Sequence, residues 1–381
     1  MRSISIVWNR ARGLTALSLA LGVLGVTAAT PRVAVPGLAE QNPQQNQEQK
    51  NEQEEHGSAH SAGIVKITPL GSHAGEFCRN DRALLLEDPT GVRALWDPGQ
   101  TVDETDTRLG MIHVIVLSSV HSDHIGEAKP NPAAPGTCAA PGTISAAPHS
   151  TTAAIAAAKN AAVFAGGEMA AFLSRKILNI RGVTTPGCSA AGLTNELVVP
   201  LASPCTGSLR PGGSRTVRLT GANAGVKIAN IPAYHSNGIP QSLIDAPGVA
   251  PGTTGYGGND GGAIIKFTNG LTVYLTADTG LAGDMDTIVR QFYRPNLVVI
   301  NMGDIFSLGP DEAAFAINRL LRPRTVIPSH INEAATTGGA VTGARLKRFL
   351  DQVNESRTNV VIPLSGVTRE FDGRGRCVNC S

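Results

Sequence analysis

The sequence predicts an α/β fold, and three observations carry that expectation. Short apolar runs such as Val114-Ile115-Val116-Leu117 and Leu297-Val298-Val299-Ile300 are bounded by small polar residues, as buried strands are. Helix-forming stretches alternate with them, the Ala-rich residues 151–164 among them. Four times a β-rich segment ends in a residue that can ligate a metal: Asp123/His124, His235, Asp278 and His330. In layered folds, functional side chains gather where strand ends open into loops. The recurrence therefore predicts one shared site better than it fits scattered core or surface histidines.

Taken in order, the chain begins with an export pattern. Arg2, Arg10 and Arg12 precede an apolar run over residues 14–29 that ends in small residues, too short for the ~20 residues of a membrane span. Cleavage after Ala28, Ala29 or Ala39 fits equally, so residues 1–39 are read as signal peptide and flank. Residues 40–62 are rich in Gln, Asn and Glu and nearly free of apolar side chains, which predicts a disordered linker. Residues 63–381 are then one domain, placed after export in the periplasm or outside the cell. Six cysteines in an exported chain permit disulfides, without revealing the pairing, although Cys377-x-x-Cys380 reads best as a structural one.

Within the domain, residues 64–68, 83–86 and 93–96 read as strands separated by turns. Asp97-Pro98-Gly99 closes the third, so Asp97 is either a turn residue or a carboxylate presented to a site. The run before the motif is the next strand, with His113 in the core. Residues 130–148 read as Pro/Ala/Gly-rich loop, 151–164 and 167–176 as helices, and 181–215 as an irregular insertion that covers the site. Strands are expected again at 217–219, 226–231, 263–267, 271–276, 297–301, 324–328, 360–362 and 367–369. Asn269-Gly270 marks a hairpin. Helices are expected at 310–321, with Pro at its first turn and Asp311 and Glu312 near the positive end of its dipole, and at 343–353. The formal charge of +2 gives no reason to expect nucleic acid or an anionic membrane surface.

The chemistry centres on His121-Ser122-Asp123-His124. Zinc accepts imidazole and carboxylate together, and a short turn can aim these side chains at one point. The order of motifs resembles the metallo-β-lactamase-fold hydrolase superfamily over about residues 64–370. The residues that carry it are Ser72-His73-Ala74, Asp97-Pro98, Ser119-Val120-His121-Ser122-Asp123-His124, His235, Ala277-Asp278-Thr279-Gly280 and His330. Residues 303–310 and the Ile-Pro-Ser-His ending look most like the branch that contains ascorbate-6-phosphate lactonase.

The resemblance implies a four-layer αββα sandwich and a ligand set. His121 and His235 would hold a first metal, Asp123, His124 and His330 a second, with Asp278 bridging. Ser119 stands where the family has its first histidine, and a neutral hydroxyl is a much poorer zinc ligand. The first site is therefore weakened. The same Ser-x-His-x-Asp-His variant is similar to the zinc-dependent hydrolytic dehalogenase of chlorothalonil.

The expected cofactor is one or two Zn²⁺ per chain, with manganese or iron also accepted by such donors. Zinc lowers the pKa of a bound water toward ~7. The expected activity is hydrolysis of a small ester, lactone or amide, with Asp123, His121 and Ser119 as catalytic candidates. Dehalogenation or phosphodiester cleavage would use the same site, and an inactive metal-binding module is the alternative outside enzymes. Asp97 and Asp304 are expected to orient ligand imidazoles, and His73 to pack against the site. The partner is a small-molecule substrate, and the oligomeric state stays open.

Overall fold

Alternation along the strands sorts the apolar side chains into three separate cores. The computed structural model describes residues 63–244, 250 and 252–380. The signal expected at 1–39 and the linker at 40–62 lie outside the described residues.

One sheet has seven strands in the order Cys205–Ser208, Ala162–Ala165, Val114–Leu117, Arg93–Trp96, Leu84–Glu87, Val65–Pro69 and Arg369–Phe371. The other has eight: Glu196–Val199, Ser214–Leu219, Val226–Pro232, Gly261–Lys266, Thr272–Leu275, Leu297–Asn301, Thr325–Ser329 and Asn359–Val360. Side chains of period two meet between the sheets, with Trp96, Val116 and Phe164 from the first and Ile228, Ile265, Val273 and Val299 from the second. The odd-numbered neighbours Leu95, Ile115, Leu117 and Val163 face outward against Ile155, Met169 and Leu173 of helices Thr151–Lys159 and Gly167–Arg181. On the far side, Tyr274, Val298 and Ile300 pack on Val289, Ile317 and Phe349. Each such side chain, fully buried, contributes ~1.5–3 kcal/mol. The result is the four-layer αββα sandwich.

Strand direction positions the site. Val114–Leu117 is parallel to Arg93–Trp96, and Thr272–Leu275, Leu297–Asn301 and Thr325–Ser329 are mutually parallel. Val226–Pro232 runs the same way as Thr272–Leu275, because each is antiparallel to Gly261–Lys266. The carboxyl end of each of these strands therefore opens into a loop that carries a candidate site residue.

Several local expectations are corrected. The helix expected over 151–164 stops at Lys159, and Ala162–Ala165 is a central strand between parallel neighbours. Asn160 adopts φ 51° and ends the helix, and the sheet interior takes an apolar run of four whatever its helix propensity. Replacing Asn160 with Ala should cost about 1 kcal/mol in urea denaturation, because Asn tolerates the left-handed region better, whereas Gly there should be neutral or better.

Residues 181–215 contain two edge strands, Glu196–Val199 and Cys205–Ser208, one on each sheet, with Cys188 bonded to Cys205. They lie at the sheet edges and contribute nothing to the wall of the cavity over the site, so they are no lid. The loop at 130–148 folds into two small hairpins tied down by the Cys78–Cys138 disulfide. Helix Met285–Tyr293 was not expected; Met285 and Val289 anchor it on the sheet. Among the described residues no helix is long and apolar enough to cross a membrane.

Candidate metal centre

The site begins where Val114–Leu117, buried along its whole length, ends. A single helical turn, Ser122–Ile125, follows His121 and turns Asp123 and His124 toward the other sheet. Gly126 closes the turn at φ 79°, where a Cβ would fall 1.8 Å from Thr151 Oγ1, so no larger residue fits. Asp97, at the end of the parallel neighbour strand, locks this turn in place. Its carboxylate accepts from the Ser118 amide (2.8 Å) and hydroxyl (2.7 Å), and from His124 Nδ1 at 2.9 Å. With Nδ1 committed to Asp97, Nε2 is the nitrogen that His124 would offer to a cation. Asp97→Asn puts an amide N–H where only acceptors serve, and should weaken metal affinity ~10–100-fold in a chelator competition, with the fold retained.

Four side chains converge. His124 Nε2 lies 3.2 Å from Asp278 Oδ2, and His330 Nε2 lies 3.2 Å from Asp123 Oδ2 and 3.3 Å from Asp278 Oδ2. Ligands ~2.0–2.2 Å from a tetrahedral zinc stand ~3.3–3.6 Å apart along its edges, so these spacings fit a cation. The donor atoms of Asp123, His124 and His330 all fall within 4.8 Å of one another. Asp278 Oδ1 is buried with no hydrogen-bond partner among the described residues, an acceptor suited to a positive charge.

The same charges shift the groups' protonation. Burial pushes the Asp278 carboxyl up, but His124 and His330 outweigh it and hold it well below the usual carboxylate range. At Asp123 burial is likewise overcome, here by Arg82, His124 and His330. Burial pushes His124 down, yet Asp278, Asp123 and Asp97 together raise it well above an ordinary imidazole. Asp97 (φ 36°), Ala277 (φ 58°), Asp304 (φ 62°) and His330 (φ 49°) all take positive φ, strain that sits at the site itself.

His121 and His235 form the second half. Their rings meet edge to face with centroids 5.0 Å apart, and His235 Nε2 is 3.9 Å from the shared Asp278 Oδ2. Both are half-buried and line the cavity. Burial, then His235 and His124, lower the His121 imidazolium; burial also lowers His235.

Ser119 is placed differently from the expectation. It is fully buried, donating to Asn237 Oδ1 (3.2 Å) and accepting from the His121 amide (3.0 Å), so it braces the His121 loop from beneath and does not face the cavity. The orienting role expected of Asp304 and the packing role expected of His73 are also corrected. Asp304 accepts from Arg345 Nε at 3.1 Å on the cavity wall and binds no imidazole of the cluster. His73 bonds to the Ser72 hydroxyl (3.0 Å) and to Gly136 O (3.4 Å), away from the cavity wall.

Sequence reasoning missed two supports. Arg82 is buried and ion-paired to Asp123, and its signal was a charge at the head of an apolar strand, Arg82-Ala83-Leu84. Asn237 ties the two loops together, since its carbonyl oxygen also accepts from the Val120 amide (2.8 Å) and its amide donates to Gly257 O (3.1 Å). Nothing in a lone Asn announces that role.

Comparison with known proteins decides the family. The chain is 30% identical over 310 residues to a UPF0173 metal-dependent hydrolase of Cupriavidus necator, covering 80% of this chain and 88% of that protein. The chain belongs to the UPF0173 metal-dependent hydrolases. A second UPF0173 relative, from Cupriavidus taiwanensis, is 29% identical over 263 residues, covering 69% of this hydrolase and 72% of the relative. No family model matches the chain. Among solved structures, a metallo hydrolase from the archaeon Ignicoccus hospitalis superposes with a TM-score of 0.50 at 20% identity, covering 81% of this chain and 99% of that one. This UPF0173 hydrolase shares its fold with that metallo hydrolase, and its Asp123, His124 and His330 form a group that could hold a metal ion.

Proposed function

We propose that this metal-dependent hydrolase binds zinc through Asp123, His124, Asp278 and His330 and cleaves a small ester, lactone or amide after export. The observation that carries it is the convergence of two imidazole nitrogens and two carboxylates at 3.2–3.3 Å spacings. Zinc held there supplies an acidified water as nucleophile and positive charge against a developing oxyanion.

The chain's own residues do the rest. Asp97 fixes the His124 ring, and Arg82 fixes the Asp123 carboxylate. His121 and His235 stand on the cavity wall beside the shared Asp278 oxygen. With one ion bound they are free to take a proton and return it to the leaving group; with two they become ligands. Three disulfides among the described residues support an oxidising compartment, and with it the export pattern of the first residues.

Elemental analysis of the mature protein tests the reading, with Ser119→His alongside. About one zinc per chain in both proteins is the expected result, because residue 119 lies buried beneath the His121 loop; two in the variant alone would mean that an imidazole there reaches the first position. Two in both proteins would mean that the braced Ser119 loop does not weaken the first site. No metal after zinc loading would overturn the assignment of the centre.

A further inference from the structure

The cavity over the centre holds ≈ 690 Å³ and carries cations that hydrolysis as such leaves without a role. Asp123 and Asp278 belong to the metal. Of the other acids on the wall, Asp304 is bound by Arg345 and Glu127 accepts from the Ser242 hydroxyl. Against these two carboxylates stand Arg79 and Arg345, while Arg82 is already ion-paired to Asp123. Arg79 is exposed and has no acidic partner among the described residues. Arg345 donates Nε to Asp304 (3.1 Å) and Nη1 to Asn332 O (3.2 Å), and its Nη2 has no partner among the described residues. Arg82 Nε, buried in the floor, is unpartnered as well.

These groups are held in place. Cys78, bonded to Cys138, precedes Arg79, and the Arg79 amide donates to Cys138 O at 3.3 Å. Arg345 is fixed at the start of helix Ala344–Gln352 by Asp304, whose φ of 62° is the left-handed conformation. Beside it Ile305 and Phe306 are 87% and 62% exposed on the cavity wall.

We propose that the substrate is an anion: a carboxylate or phosphate remote from the scissile bond docks between Arg79 and Arg345, with apolar substrate atoms on Ile305 and Phe306. This deepens the hydrolase reading and rests on it for the place of the scissile bond. Guanidinium groups bind such oxyanions with charge-assisted hydrogen bonds, and binding energy from a remote group can serve the reaction.

The test uses the zinc-loaded full chain with p-nitrophenyl acetate and its anionic counterpart, p-nitrophenyl hemisuccinate. Succinate and inorganic phosphate are titrated separately by calorimetry. The wild type should prefer hemisuccinate in kcat/KM. Arg79→Gln and Arg345→Gln should each lower that preference about tenfold, mostly through KM, with Arg79→Lys retaining most of it. The same Gln variants should weaken anion binding in calorimetry, and whichever anion loses more names the substrate's acidic group. An unchanged preference with unchanged anion affinity overturns the subsite while leaving the hydrolase standing. Turnover of neither ester counts against the hydrolase reading, and calorimetry then decides the subsite alone.

Discussion

Asp278→Ala should abolish turnover and metal binding together. The Asp278 Oδ2 atom is the one both imidazoles approach, His124 at 3.2 Å and His330 at 3.3 Å, with His235 at 3.9 Å behind them. Removing it takes a donor from either metal position, whereas Asp97→Asn only loosens one ligand. The loss should therefore exceed the ~10–100-fold expected for a supporting residue. Metal analysis and ester hydrolysis on the same preparation check it, with circular dichroism to establish that the sandwich persists. Activity that survives in a folded, metal-loaded Asp278→Ala chain would refute the ligand set.

In the metal-free chain Asp123→Ala should be more damaging than Arg82→Met. The ion pair is asymmetric: the Arg82 side chain is 3% exposed and that of Asp123 33%. Without Arg82, Asp123 keeps access to water and remains within reach of His330. Without Asp123, a buried guanidinium loses its counter-charge, which in well-buried pairs costs ~3–5 kcal/mol. The double variant should then be more stable than Asp123→Ala alone, since Met fills the volume without a charge to solvate. Urea midpoints for the four chains without metal decide this. A double variant less stable than both singles would mean that Arg82 contributes by packing rather than by pairing.

Much of this was legible from residue order. The four ligand-bearing strand ends, Asp123/His124, His235, Asp278 and His330, are local signals. An apolar run followed by a His or Asp reads the same whatever the rest of the chain does. Hydrophobic alternation also settled most strands, because a side chain's face in a sheet is fixed by parity alone. Where propensity and position disagreed, position won. Ala162–Ala165 is strand, not helix, because it fills a gap between Val114–Leu117 and Cys205–Ser208.

The support of the ligands was not legible. Arg82 reaches Asp123 across 41 residues, and Ser119 reaches Asn237 across 118. Asp304 and Arg345, read apart, gave no sign that they pair. Composition and spacing are one-dimensional, while a hydrogen bond depends on distance in space. The sequence by itself determined the fold class, the ligand candidates and the family resemblance. Only the tertiary structure decided that Ser119 braces a loop, that Arg82 holds a metal ligand, and that arginines line the cavity, because those facts exist only once two sheets have closed on each other.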